Sequence, residues 1–269
     1  MTLPATETLA LDLDGFTLYI RLNRPEVRNA MSLRMVQELM AVFSAIADDT
    51  GVRAVVLRGN GGHFCAGGDI KDMAGARIQA AQSGDGEAYA TLNRAFGTLI
   101  TQVNKAPQVV IVALEGAVLG GGFGLACVSD VAVAMDNTQF GLPETGLGVI
   151  PAQIAPFVVQ RIGMTQARRL ALLGARFNGA EALRLGIVHQ VVNSAENMDG
   201  AIVEVLAQVQ RCAPEANRVT KALLHRVGQE PLETLLDDAA KMFARAVAGP
   251  EGAEGTMAFV QKRAPKWAE

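Results

Sequence analysis

A chain of 269 residues, half of them hydrophobic, can bury a sizeable core as one large domain or two smaller ones. Its formal net charge of −3 argues against a surface built for the nucleic-acid backbone, so no nucleic-acid partner is expected. Three widely spaced cysteines, Cys65, Cys127 and Cys212, exclude a disulfide framework and a CxxC metal site and suit a reducing cytoplasm.

No apolar run approaches the ~20 residues that cross a bilayer, and residues 1–10 lack a basic region or a long hydrophobic core. No membrane association is expected. His63, His189 and His225 are scattered without zinc-site spacing, so no metal is expected either.

Residues 17–22 are rich in β-formers and read as a strand. Leu33, Val36, Met40, Phe43 and Ala47 then follow helical spacing behind Ser32, a cap. A buried strand over 54–57 runs into the loop Gly59-Asn60-Gly61-Gly62 and on to Phe64-Cys65-Ala66-Gly67-Gly68-Asp69. Residues 71–86 are small, polar and glycine-dotted, which predicts a mobile lid before a helix through Phe96 and Val103. A second core strand over 109–114 leads to Gly116-Ala117-Val118-Leu119-Gly120-Gly121-Gly122, with a helix from Gly120 onward. A third, over 131–134, precedes Phe140-Gly141-Leu142-Pro143-Glu144. From Ala152 the pattern reads as almost wholly helical, with Thr165 a cap, Gly174 a stop and Pro214 a start. Leu232, Leu235, Ala239 and Phe243 form a stripe that reads as core or subunit packing. Residues 1–195 are expected to form the core domain and 196–269 a helical oligomerisation region.

Both glycine-rich stretches read as a strand entering a turn that exposes backbone N–H groups. Without a Cβ, such a turn can approach a ligand closely and aim amide donors at a developing oxyanion, such as a thioester carbonyl becoming an enolate. Gly122 is followed by Phe123 and Gly124 rather than Lys and Ser or Thr, which excludes a P-loop. Leu125 stands where a dinucleotide fingerprint needs its third glycine. Cys65 has no histidine near it in sequence and reads as a buried filler, not a nucleophile.

In their order along the chain these motifs resemble the enoyl-CoA hydratase/isomerase (crotonase) superfamily. The likeness also includes Leu22-Asn23-Arg24-Pro25 with Asn29-Ala30, Asp130, Gly148, Pro151 and the stretch from Phe259 to Pro265. It implies an α/β fold, a crotonase-like spiral of ββα units with a C-terminal helical trimerisation region, assembled as a homotrimer or a dimer of trimers. It implies an acyl-CoA substrate, with coenzyme A part of that substrate and no separate cofactor. By the same resemblance the N–H groups of Ala66 and Gly121 match the oxyanion hole, and Glu144 matches a catalytic acid/base. Arg28 and Lys262 match cations near the CoA phosphates, Lys262 reaching a neighbouring subunit's ligand. Ala30, Gly68, Asp69, Ile70, Gly120 and Gly124 match substrate-binding positions.

The resemblance departs at one position. Hydratases of this kind carry a first glutamate where this chain has Gly124, which leaves Glu144 alone; Glu115 does not match a catalytic position. The expected activity is addition of water to a 2-enoyl-CoA thioester or its removal, on a substrate of branched glutaconyl type. Δ3,Δ2-enoyl isomerisation, thioester hydrolysis and a catalytically silent acyl-CoA-binding role are the alternatives.

Overall fold

The computed structural model describes residues 2–69, 71–72, 74–75, 78, 81 and 87–269. Ile70 and most of the 71–86 segment read as a lid lie outside the described residues. In chain order the described strands are β1 (Leu9–Asp14), β2 (Thr17–Leu22), β3 (Ala54–Gly59), β4 (Val109–Leu114), β5 (Ala117–Leu119), β6 (Val131–Met135), β7 (Gln139–Gly141), β8 (Arg176–Phe177) and β9 (Gln190–Val192). The larger sheet runs β1-β2-β3-β4-β6-β9, parallel throughout except for the β1/β2 hairpin; the smaller runs β5-β7-β8.

In β4, Val110, Ile111, Val112, Ala113 and Leu114 are all fully buried. Such an unbroken apolar run is what a parallel sheet needs, because helices cover both its faces. Helices α1 (Leu33–Ile46) and α2 (Glu87–Lys105) join one core with α3 (Gly121–Val128) and α4 (Ala155–Leu173). On the other face Val56, Ile111, Ala113 and Val133 pack with Met198, Ile202, Leu206 and Val209, which belong to a helix past the short α5 (Gly179–Arg184). That helix is α6 (Ala195–Arg211). Helices α7 (Pro214–Arg226), α8 (Leu232–Ala248) and α9 (Pro250–Val260) complete the chain.

Local signals act where the sequence places them. Ser32 accepts a hydrogen bond from the Met35 N–H and caps α1. Gly174 ends α4 at φ 55° with its N–H on the Leu170 carbonyl, and Pro214 opens α7. One expectation fails beyond residue 152. The chain breaks inside α4 at Gly163 (φ 73°), two residues before Thr165, which is therefore not a cap. The region also holds the short strands β8 and β9, the first pairing with β7 and the second with β6. On α8 the stripe divides: Leu235 is 4% exposed, whereas Leu232 and Phe243 are 63% and 71% exposed.

Two isolated bridges, Met31 with Gly68 and Cys65 with Val118, carry the smaller sheet's ladder back toward the start of α1. Both glycine-rich turns and the Pro143-Glu144 step therefore lie along one ribbon of paired backbone.

Candidate active site

The first turn is held from below by Asn29. This fully buried side chain accepts the Arg24 N–H at 2.8 Å and donates to the carbonyls of Asn60 (2.9 Å) and His63 (2.7 Å). Met31 N–H donates to the Gly67 carbonyl and Asp69 N–H to the Met31 carbonyl, at 2.8 and 3.0 Å. Ala66 departs from expectation, because its N–H donates to the Arg28 carbonyl at 3.0 Å. That amide is already spent. Gly67, at φ 102°, reverses the alternation of the chain, and the next N–H, on exposed Gly68, meets no acceptor among the described residues.

The second turn presents Gly121, first residue of α3, whose N–H has no intrahelical acceptor and no other among the described residues. Gly120 before it sits at φ 50°, ψ −116°, a conformation glycine alone adopts readily. A β-carbon there would also lie 3.0 Å from Oε1 of Glu144 and 3.4 Å from Cα of Gly67. The carboxylate therefore lies beside the second turn at Gly120, whose other neighbour is Gly67 of the first. The Phe96 ring closes over Gly121, 3.2 Å from where a β-carbon would stand.

Glu144 opens a short 3-10 turn after Pro143. Its Oε2 is buried without a hydrogen-bond partner among the described residues. Burial pushes this carboxyl above the ordinary glutamate value, opposed by its own backbone N–H. A half-desolvated carboxylate with one unpartnered oxygen is costly to keep and is suited to exchange a proton with whatever enters beside it.

Gly124 does not face that space. It is buried within α3, and a β-carbon there would collide with Cγ2 of Ile154 and come within 2.9 Å of Cδ1 of Ile100 and 3.1 Å of Cβ of Ile154. The position of a second glutamate is filled with aliphatic side chains. Installing one as Gly124→Glu is expected to lower the Tm without raising activity, since it overpacks the core and buries a charge. In a double-mutant cycle, Ile154→Gly should recover part of that loss; strictly additive effects would mean Ile154 is not what fills the place.

Other candidates are engaged elsewhere. Burial alone would raise the Asp69 carboxyl, but Arg24 at 2.7 Å and the Lys71 N–H at 2.8 Å hold it below the usual range. Glu115 is gripped by Arg58 through Nε at 2.7 Å and Nη2 at 3.0 Å. Complete burial pushes the Cys65 thiol up to about 11, in keeping with a filler. The Ala30 carbonyl takes Nη1 of Arg24 at 2.7 Å. Arg28, in left-handed conformation at φ 52°, and Lys262, at φ 53° beyond α9, are both exposed. The sequence does not single out Phe96 or Ile154 as neighbours of these turns, for Phe96 meets Gly121, and Ile154 meets Gly124, only by tertiary packing.

The chain matches the family model described as Enoyl-CoA hydratase/isomerase over residues 15–269. It is 32% identical to a carnitinyl-CoA dehydratase of Proteus mirabilis over 268 residues, covering 97% of this chain and 98% of that protein. It is 30% identical to a 2,3-dehydroadipyl-CoA hydratase of Escherichia coli, covering 92% and 93%. Among solved structures, Pseudomonas aeruginosa AtuE superposes with a TM-score of 0.95 at 62% identity, covering 98% of this chain and 100% of that one. An enoyl-CoA hydratase/isomerase from Marinobacter aquaeolei gives 0.93 at 62%, covering 97% and 99%. With its α/β spiral, its C-terminal helices and a match along nearly its whole length, the chain belongs to the enoyl-CoA hydratase/isomerase family.

Proposed function

We propose that the protein adds water to, or removes it from, a 2-enoyl-CoA thioester of branched glutaconyl type, using Glu144 as its single acid/base. The observation that carries this reading is the buried, unpaired Glu144 oxygen on a carboxylate beside Gly120, where two glycine turns meet whose Gly68 and Gly121 amides have no acceptor among the described residues. The relatives named as hydratases and dehydratases of CoA thioesters support it.

In the hydration direction Glu144 takes a proton from water as the water oxygen bonds to C3. Electrons of the C2=C3 bond then move onto the thioester oxygen, where the Gly68 and Gly121 N–H groups stabilise the enolate. The same carboxyl, now protonated, returns the proton to C2. Coenzyme A enters as part of the substrate, with Arg28 and Lys262 as candidate cations for its phosphates. Exposed Leu232 and Phe243 fit burial between subunits of a homotrimer or a dimer of trimers.

One observation favours a second reading. The aliphatic filling at Gly124 removes the place for a second carboxylate, and Δ3,Δ2-enoyl isomerisation needs only one base to carry a proton from C2 to C4. Incubation with saturated, 2-enoyl, 3-enoyl and branched glutaconyl-CoA thioesters, with products read by mass spectrometry, separates the two. A gain of 18 mass units on the 2-enoyl thioesters is the expected result. Double-bond migration alone would establish the isomerase, and release of free acid a hydrolase.

A further inference from the structure

The first glycine turn ends in a buried charge. Asp69, directly after Gly68, is 6% exposed, and its Oδ2 accepts a hydrogen bond from Nη1 of Arg24 at 2.7 Å. The same nitrogen donates to the Ala30 carbonyl at 2.7 Å, which engages both of its hydrogens. Arg24 is largely buried too, its side chain 19% exposed, and no other cation pairs with this carboxylate among the described residues. Burial favours the neutral acid, but the hydrogen bonds from Arg24 and the Lys71 N–H outweigh it, so Asp69 stays ionised.

The backbone is already tied on both sides of Gly68, with the Met31 N–H on the Gly67 carbonyl and the Asp69 N–H on the Met31 carbonyl. A buried ion pair adds little to such a frame, because desolvating two charges offsets much of their attraction. What the pair adds is electrical. A bare Asp69 carboxylate would stand one residue, ~3.8 Å between Cα atoms, from the turn that receives the negative charge of the enolate. Like charges at such range repel strongly once a bound thioester has excluded water. Paired with Arg24, the carboxylate presents no net charge to that oxygen.

We propose, on the acyl-CoA reading above, that Arg24 is a positioning residue for the oxyanion hole: by holding and neutralising Asp69 it lets the Gly68 N–H polarise the thioester carbonyl at full strength. Arg24 acts through Asp69 and not on the substrate. If the ion pair served only to hold the loop, loss of either partner would weaken the hole alike. Acting electrically, the two losses have opposite signs.

The test is isotope-edited infrared spectroscopy of butanoyl-CoA, labelled at its thioester carbonyl carbon, bound at saturation to the wild type, Arg24→Met, Asp69→Asn and the double variant. Mildly alkaline pH keeps Asp69 ionised once its cation is gone. On the wild type the carbonyl stretch is expected at lower frequency than in water, the mark of an oxyanion hole. Arg24→Met leaves the carboxylate bare and should move the stretch back up, with kcat on 2-enoyl thioesters falling about tenfold and KM little changed. Asp69→Asn keeps an oxygen for the Lys71 N–H but leaves the Arg24 charge unopposed, and should move the stretch further down. The double variant should return close to the wild type. Upward shifts in both single variants would make the pair structural and overturn the proposal, as would frequencies unmoved in both. If Arg24→Met fails to fold on its bare buried charge, the sign of the Asp69→Asn shift and the frequency in the double variant still decide. Absence of any wild-type shift on binding would remove the oxyanion hole itself and this role of Arg24 with it, whereas a wild-type shift that both single variants leave unmoved would overturn the role of Arg24 alone.

Discussion

Replacing Glu144 by Gln is expected to lower kcat by about 10² to 10⁴ while a saturated thioester still binds, because the amide keeps the shape and hydrogen-bonding size but cannot take a proton. The native side chain tolerates the change structurally, since its Oε2 has no partner among the described residues to lose. The same residue sets a pH dependence. Burial raises its carboxyl above the ordinary 4.5, and the base works only when ionised. Activity should therefore fall, as pH is lowered, at a midpoint above 4.5, and the residual activity of Glu144→Gln should lack this limb. Normal turnover by the variant would place the base on another residue, and Asp69 and Glu115 are poor replacements because Arg24 and Arg58 already hold them.

Gly121→Pro should cost about 10² to 10³ in kcat, the usual worth of one oxyanion donor. Proline suits the first position of a helix, where its missing N–H breaks no intrahelical bond, so the loss reports the vacant donor. Bulk is controlled by Gly121→Ala, which retains the N–H and presses on Phe96 in the same way, 3.2 Å from the new β-carbon. The alanine variant should remain much the more active of the two at equal Tm. Equal losses would attribute the effect to crowding of Phe96 and remove Gly121 from the hole.

The strands and most helix ends were legible because they rest on local chemistry: β4 is an uninterrupted apolar run, and Ser32, Gly174 and Pro214 act through their own backbone neighbours. Thr165 failed as a cap because a glycine two residues earlier could take the positive φ at which α4 breaks, and a cap motif does not reveal that competition. Strands β8 and β9, of two and three residues, are too short to show a period and exist because β7 and β6 offer free edges. In the candidate site, the sequence points to Glu144, Gly121 and Ala66, but the Ala66 N–H is bonded to the Arg28 carbonyl and it is Gly68 whose N–H meets no acceptor among the described residues. Which of Ala66 and Gly68 keeps a free N–H depends on Arg28 and Met31 pairing across it and on the twist at Gly67, and both are tertiary facts.

The ladder linking Met31, Gly68, Cys65, Val118 and Phe140 has a consequence for how such an enzyme can change over generations. Neighbouring strands are separated by a nearly fixed 4.7–4.9 Å. The two glycine turns and the Pro143-Glu144 step therefore inherit their separation from backbone pairing, which side-chain substitution barely alters. Residues of α2 and of the segment before α4, which touch this ribbon only through side chains, are free to vary independently. New acyl groups can be tried there by single substitutions while the reacting geometry stays as it was, so substrate preference and reaction chemistry can drift on separate clocks.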